Sequence, residues 1–140
     1  DGMFDNCLYF NTAALARQLE REWNVAFKPF GLTPAQVFLL RTILHRPGLL
    51  QCELAEAMTI SRPTATRALD GLASKKLIER RDSARDGREY FIFPTAAAEG
   101  LHIALNEASA KVSKRLKKQL GDEVFSDVVS KIKGLRSTLK

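Results

Sequence analysis

Seven consecutive residues, Ser61-Arg62-Pro63-Thr64-Ala65-Thr66-Arg67, carry the densest chemical signal in this 140-residue chain. Ser61 is suited to an N-cap, because its hydroxyl can accept a backbone N–H left free in the first turn of a helix. On a helical wheel Ala65, Leu69, Leu72 and the stem of Lys76 fall on one side, and Pro63, Thr66, Arg67, Asp70 and Ser74 on the other. The inner side is apolar; the outer side begins with small residues and is cationic. A helix that presses into the major groove of a duplex needs short side chains for close approach. It also needs Arg or Thr to reach base edges and phosphates. The predicted chemistry is therefore recognition by hydrogen bonds and charge, with no bond made or broken.

Other residue types that do chemistry are sparse. His45 and His102 are the only histidines, and neither has a Cys or an acid at metal-ligand spacing. The chain has no Gly-rich phosphate loop, no nucleophile elbow and no paired-carboxylate setting. The expectation is a protein without catalysis, cofactor or metal. Cys7 and Cys52 lie too far apart to suggest a disulfide framework, and a reducing cytoplasm is the expected setting. Cys7 falls near the start of the first predicted helix, where a helix N-terminus can lower a thiol pKa and Tyr9 can donate to a thiolate. Cys7 is thus a candidate redox residue, whereas Cys52 reads as a packed or partly exposed thiol.

The elements around the cationic helix complete a motif. Gln51 to Ala57 are good helix formers with Leu54 and Ala55 inward, and Met58-Thr59-Ile60 is a three-residue turn. After the second helix, Leu77–Arg81 and Tyr90–Phe93 are short runs rich in β-branched and aromatic residues, the latter ended by Pro94. Their connection contains Asp86-Gly87, a hairpin signal. Helix, turn, helix, hairpin predicts a winged helix. Upstream, Thr33-Pro34-Ala35-Gln36 is a capping box with Pro at the first helical position, and Leu32 can staple onto Val37. That helix should run through Leu44 and stop at Pro47-Gly48.

The ordered set resembles the MarR family of bacterial transcriptional regulators. It comprises Glu53-Leu54-Ala55-Glu56, then Ser61 to Leu72, then Lys76-Leu77-Ile78-Glu79-Arg80-Arg81. The Asp86-Gly87-Arg88 tip matches that family's Asp-x-Arg wing motif, and Thr95 with the Ala-rich run to Gly100 resembles the start of its long dimerisation helix. The resemblance extends over nearly the whole chain. It implies one domain, residues 1–140, mainly α with a small β-wing: 31–94 the winged helix-turn-helix, 1–30 and 95–140 the dimerisation helices. It also implies a repressor, and places the capping-box helix under the reading head at the border of an effector pocket. A Cys near the first-helix N-terminus resembles the family's hydroperoxide-sensing branch. Tyr9, however, follows Cys7 by only two residues, closer than that branch has it.

Charge and helical stripes fit this reading. The net charge is +6, with eight basic against five acidic side chains in residues 61–90 and nine against three in residues 111–140. A basic surplus without an amphipathic anchor points to nucleic acid rather than lipid; no apolar run is long enough to span a bilayer, and no leader is recognisable. Lys111 to Lys118 read as a solvated face of a dimerisation helix. Stripes at Leu8, Leu15, Leu19, Trp23, Phe27 and Phe30, at Leu101 to Leu120, and at Phe125 to Leu139 are too long to bury on a small winged core. A second copy should cover them. The expected partners are a palindromic double-stranded DNA operator, a second copy of the chain and a small aromatic or lipophilic effector. The expected DNA contacts are Arg62, Thr64, Thr66 and Arg67 in the major groove beside the small Pro63. Ser61 and Gln51 should meet phosphates, with Arg88 in the minor groove, aimed by Asp86 and flanked by Arg85. Two further readings are a peroxide switch through Cys7 in the same fold, and a winged-helix protein-interaction module that has lost DNA binding.

Overall fold

The computed structural model describes residues 2–83 and 89–139. Helix α1 (Leu8–Phe27) leads through a 3₁₀ turn (Lys28–Phe30) into α2 (Pro34–His45). A two-residue strand β1 (Leu49–Leu50) precedes the pair α3 (Gln51–Met58) and α4 (Arg62–Ser74). Strands β2 (Ile78–Asp82) and β3 (Tyr90–Pro94) follow, then the long helices α5 (Ala96–Leu120) and α6 (Asp122–Thr138).

Local chemistry sets these boundaries. Both halves of the Thr33 capping box form: Gln36 N–H donates to Thr33 Oγ1 at 3.2 Å, and Thr33 N–H to Gln36 Oε1 at 3.0 Å. At α3 the Glu53 carboxylate accepts the Leu50 N–H at 2.9 Å, a favourable place for negative charge. Thr95 accepts from Ala98 N–H at 3.3 Å to cap α5, while its hydroxyl donates to the Lys76 carbonyl at 2.8 Å. Gly121, at φ 86°, separates α5 from α6 in a conformation that side chains other than glycine rarely adopt.

The core lies where α2, α4, the sheet and the first half of α5 meet. Phe27, Leu39, Leu40, Ile43, Leu54, Leu69, Leu72, Ile92 and Leu105 are fully buried there. Each such side chain stabilises the fold by about 1.5–3 kcal/mol relative to leaving it in water. The side-chain amide of Gln36 on α2 lies over Gly71 of α4, where a Cβ would displace it.

The sheet differs from the expected two-stranded hairpin. Its order is β1-β3-β2, all antiparallel, with Leu49 opposite Ile92 and Arg80 opposite Ile92 from the other side. β1 is too short to show a period, and it exists because Gly48, at φ 89°, turns its N–H onto the Ile92 carbonyl at 2.8 Å. Two local corrections also follow. Lys76 does not lay its stem on the buried face of α4; the helix ends at Ser74, and Lys76 is exposed at φ 60°. Met58 belongs to α3, and the turn begins at Thr59, left-handed at φ 54°. Ile60 N–H then returns to the Ala55 carbonyl at 3.1 Å.

The terminal helices stay open on one side. α1 packs on α5, yet Leu8 and Leu15 remain exposed. No described residue of α6 is buried, and Val124, Val128, Val129, Ile132 and Leu135 all face outward.

Candidate nucleic-acid interface

Helix α4 is divided as its sequence pattern requires. Ala65, Ala68, Leu69 and Leu72 are buried against α2 and α3, while Arg62, Pro63, Thr66, Arg67 and Asp70 are exposed. Ser61 caps the helix, accepting from Thr64 N–H at 3.3 Å, with the two hydroxyl oxygens 2.8 Å apart. Thr66 donates to the Arg62 carbonyl at 3.0 Å. Arg67 reaches back to Thr64 Oγ1 at 3.3 Å, a long contact. Among the described residues, neither Arg62 nor Arg67 pairs with a carboxylate. Both guanidinium groups therefore keep donors for an external acceptor.

Gln51, Ser61, Arg62, Pro63, Thr64, Thr66 and Arg67 are brought together at the N-terminal ends of α3 and α4. Gln51, half-buried, joins the two helices through its Nε2, 3.4 Å from Thr66 Oγ1. Two helix N-termini, each with free N–H groups, add partial positive charge beside the arginines. Such a surface can hold an extended polyanion along phosphates and still present polar tips to whatever lies between them. Arg85, Asp86 and Arg88 lie outside the described residues.

Some contacts around the site escaped the sequence reading. Arg80 on β2 donates to Asp70 on α4 at 2.7 Å, tying the hairpin to the cationic helix. The Arg81 guanidinium stacks 3.9 Å from the centre of the Phe93 ring, across the β2–β3 pair. The Cys52 thiol donates to Glu89 at 3.1 Å. No local motif marks these pairs, because each joins residues at least ten positions apart on different elements. Beneath the reading pair, Phe38, Arg41, Thr42 and His45 of α2 face His102 and Asn106 of α5 across a cleft of about 420 Å³. Arg41 Nε donates to Asn106 there at 2.8 Å. The two histidines thus share one cleft, although their sequence positions gave no sign of it.

Cys7 is exposed and caps α1, its sulfur accepting from Phe10 N–H at 3.5 Å. Asn11 steadies the lead-in by donating to the carbonyls of Asp5 and Cys7 at 2.7 and 2.9 Å. Among the described residues no hydrogen bond joins Cys7 to Tyr9, which is exposed.

Comparison with known proteins agrees with this geometry. A family model described as MarR family matches residues 30–89, the span from the end of the 3₁₀ turn to the return of the hairpin. The HTH-type transcriptional regulator YybA of Bacillus subtilis is 33% identical over 81 residues, covering 58% of this chain and 54% of its own length. The chain thus spans about half of that relative. A putative transcriptional regulatory protein for the hcr operon of Thauera aromatica is 27% identical over 129 residues, covering 86% of this chain and 78% of its own. Among solved structures, the transcriptional repressor CouR bound to a 23-mer DNA duplex superposes with a TM-score of 0.86 at 24% identity. That match covers 96% of each chain. These relatives are regulators rather than enzymes, and no helix among the described residues is long and apolar enough to cross a membrane. With its winged helix-turn-helix, its capped cationic helix and these relatives, the chain resembles the MarR family of transcriptional regulators, whose family model it matches over residues 30–89.

Proposed function

We propose that this chain is a ligand-responsive repressor that binds a palindromic double-stranded DNA operator as a homodimer in the cytoplasm. The observation that carries the reading is the division of α4: a buried apolar face, and an exposed face whose Arg62 and Arg67 have no carboxylate partner among the described residues. Arg62, Thr64, Thr66 and Arg67 contact the major groove, with Pro63 small enough for close approach, and Ser61 and Gln51 meet phosphates. Arg88, aimed by Asp86 and flanked by Arg85, reaches the adjacent minor groove. The likeness to a repressor solved on a duplex supports this use of the fold. The outward apolar stripe of α6 and the exposed Leu8 and Leu15 support a second copy as the cover, since such surface is favourably removed from water. The cleft between α2 and α5 supports an aromatic effector that stacks near Phe38 and offers acceptors to Arg41 and the histidines. An effector acts only by preferring one spacing of the two reading heads.

The test is selection of duplexes from a random pool, followed by anisotropy over a salt series. The proposal requires an enriched palindrome with half-sites about one helical turn apart, bound more weakly as salt rises. Equal, weak binding to every duplex, or none, refutes it and favours a protein-interaction module. A second reading rests on the exposed Cys7 thiol at the start of α1. It requires that peroxide abolish operator binding in wild type and leave Cys7→Ser unaffected.

A further inference from the structure

The backbone ladder fixes β2 against β3 but leaves the tilt of the hairpin on the helix pair to other contacts. Among the described residues, side-chain ties cross that gap. Arg80–Asp70 joins β2 to α4, and Cys52–Glu89 joins α3 to the residue from which β3 departs. Glu89 is held at both ends: its carbonyl accepts the Ser83 N–H at 3.3 Å across the hairpin, and its carboxylate accepts the Cys52 thiol at 3.1 Å. Cys52 sits in the first turn of α3, next to Gln51, so the tie runs from the hairpin directly to the surface assigned to DNA.

We infer that Cys52 is a positioning residue, whose thiol latches the hairpin to α3 and thereby sets where the wing meets the duplex. This rests on the DNA-binding reading above. The latch needs the sulfur protonated, because a thiolate cannot donate and would face a carboxylate of the same charge. The surroundings keep it so: the hydrogen bond to Glu89 and then burial push the Cys52 thiol above its ordinary range, against a weaker opposite pull from Arg62. The same environment makes Cys52 a poor nucleophile, since the thiolate is the reactive form. The role is therefore mechanical rather than redox.

The test compares Cys52→Ser, which keeps an O–H donor, with Cys52→Ala, which has none, against one selected duplex. Cys52→Ala should weaken binding about three- to tenfold, the size of one hydrogen bond to a charged group reduced for a weak sulfur donor. Its log–log salt slope should become shallower, because a displaced hairpin loses phosphate contacts. Cys52→Ser should restore both. A second measurement needs no DNA: in a Cys7→Ser background, Glu89→Gln should make Cys52 react severalfold faster with a disulfide reagent at neutral pH. Equal binding loss in Cys52→Ser and Cys52→Ala, no loss in Cys52→Ala, or an unchanged thiol rate in Glu89→Gln would each overturn the latch. Wild-type protein that binds no duplex would overturn the reading beneath it instead.

Discussion

Replacing Arg67 by alanine separates recognition from folding. The side chain is exposed, lies opposite the buried face of α4, and makes one long contact, 3.3 Å to Thr64 Oγ1, with no carboxylate partner among the described residues. Truncation removes little from the folded state, and alanine is the better helix former. Stability should therefore change by no more than about 0.5 kcal/mol, the usual range for a surface site without special contacts. On DNA the same truncation removes a forked donor that can pair bidentately with a guanine edge, a contact worth about 1–3 kcal/mol of discrimination. At 1.4 kcal/mol per tenfold, the specific affinity should fall by roughly 5- to 150-fold. Binding to an unrelated duplex, which depends on phosphates, should fall much less. Anisotropy with a selected and a scrambled duplex at two salt concentrations, alongside a thermal melt by circular dichroism, reads all three quantities. A melting temperature lowered by many degrees would show that Arg67 serves the fold. Parallel losses on both duplexes would show that it meets a phosphate and not a base.

Three further outcomes follow from other parts of the molecule. Ser61→Ala removes the α4 cap and should cost about 0.5–2 kcal/mol in chemical denaturation, with Ser61→Gly milder; an unchanged midpoint would mean that the Thr64 hydroxyl replaces it. Sedimentation at micromolar concentration should give a dimer for wild type, and Ile132→Asp, on the exposed stripe of α6, should give monomer or unfolded chain; a stable wild-type monomer would remove the basis for a palindromic operator. For pH, the folded-state pKa of Cys52 lies above its ordinary 9.0, so its proton-dependent stabilisation is complete below that value and is lost as pH rises through the folded pKa. The stability of wild type relative to Cys52→Ser should therefore hold level to about pH 9 and then decline, and a flat difference to pH 11 would refute the assignment.

What the sequence revealed and what it hid have physical causes. Capping chemistry is local, so Thr33 and Ser61 could be tied to helix starts from their near neighbours, and α2 and α4 begin where those residues stand; Thr95 was marked only by the family resemblance. Helical periodicity likewise separated the buried Leu69 and Leu72 from the exposed Thr66 and Arg67. The pattern failed where one residue decided the geometry. Lys76 continues the apolar side of the wheel on paper, but its left-handed backbone ends that periodicity and turns the chain towards β2. β1 has only two residues, and its existence depends on a distant strand, β3, that supplies the partner groups. The ties between elements were hidden for the same reason. Asp70 with Arg80 and Cys52 with Glu89 are ordinary residues until the fold places them within hydrogen-bond reach.

The unpartnered stripes have a different relation to function. Within one copy, α6 buries no described residue, although its Val128, Ile132 and Leu135 recur at helical spacing. Such a helix gains little from burial in the isolated chain, and most helical stability in proteins comes from packing an apolar face. A second copy would supply that burial and fix the separation of two α4 helices at once, so folding of the termini and spacing of the reading heads would share one interface. The α2–α5 cleft borders α2, which packs on both α4 and α5, and α5 in turn packs on α6. A ligand wedged there need not touch the DNA-facing residues. A change in the angle between α2 and α5 would alter the half-site distance, and a rigid duplex would report even a small change as lost affinity.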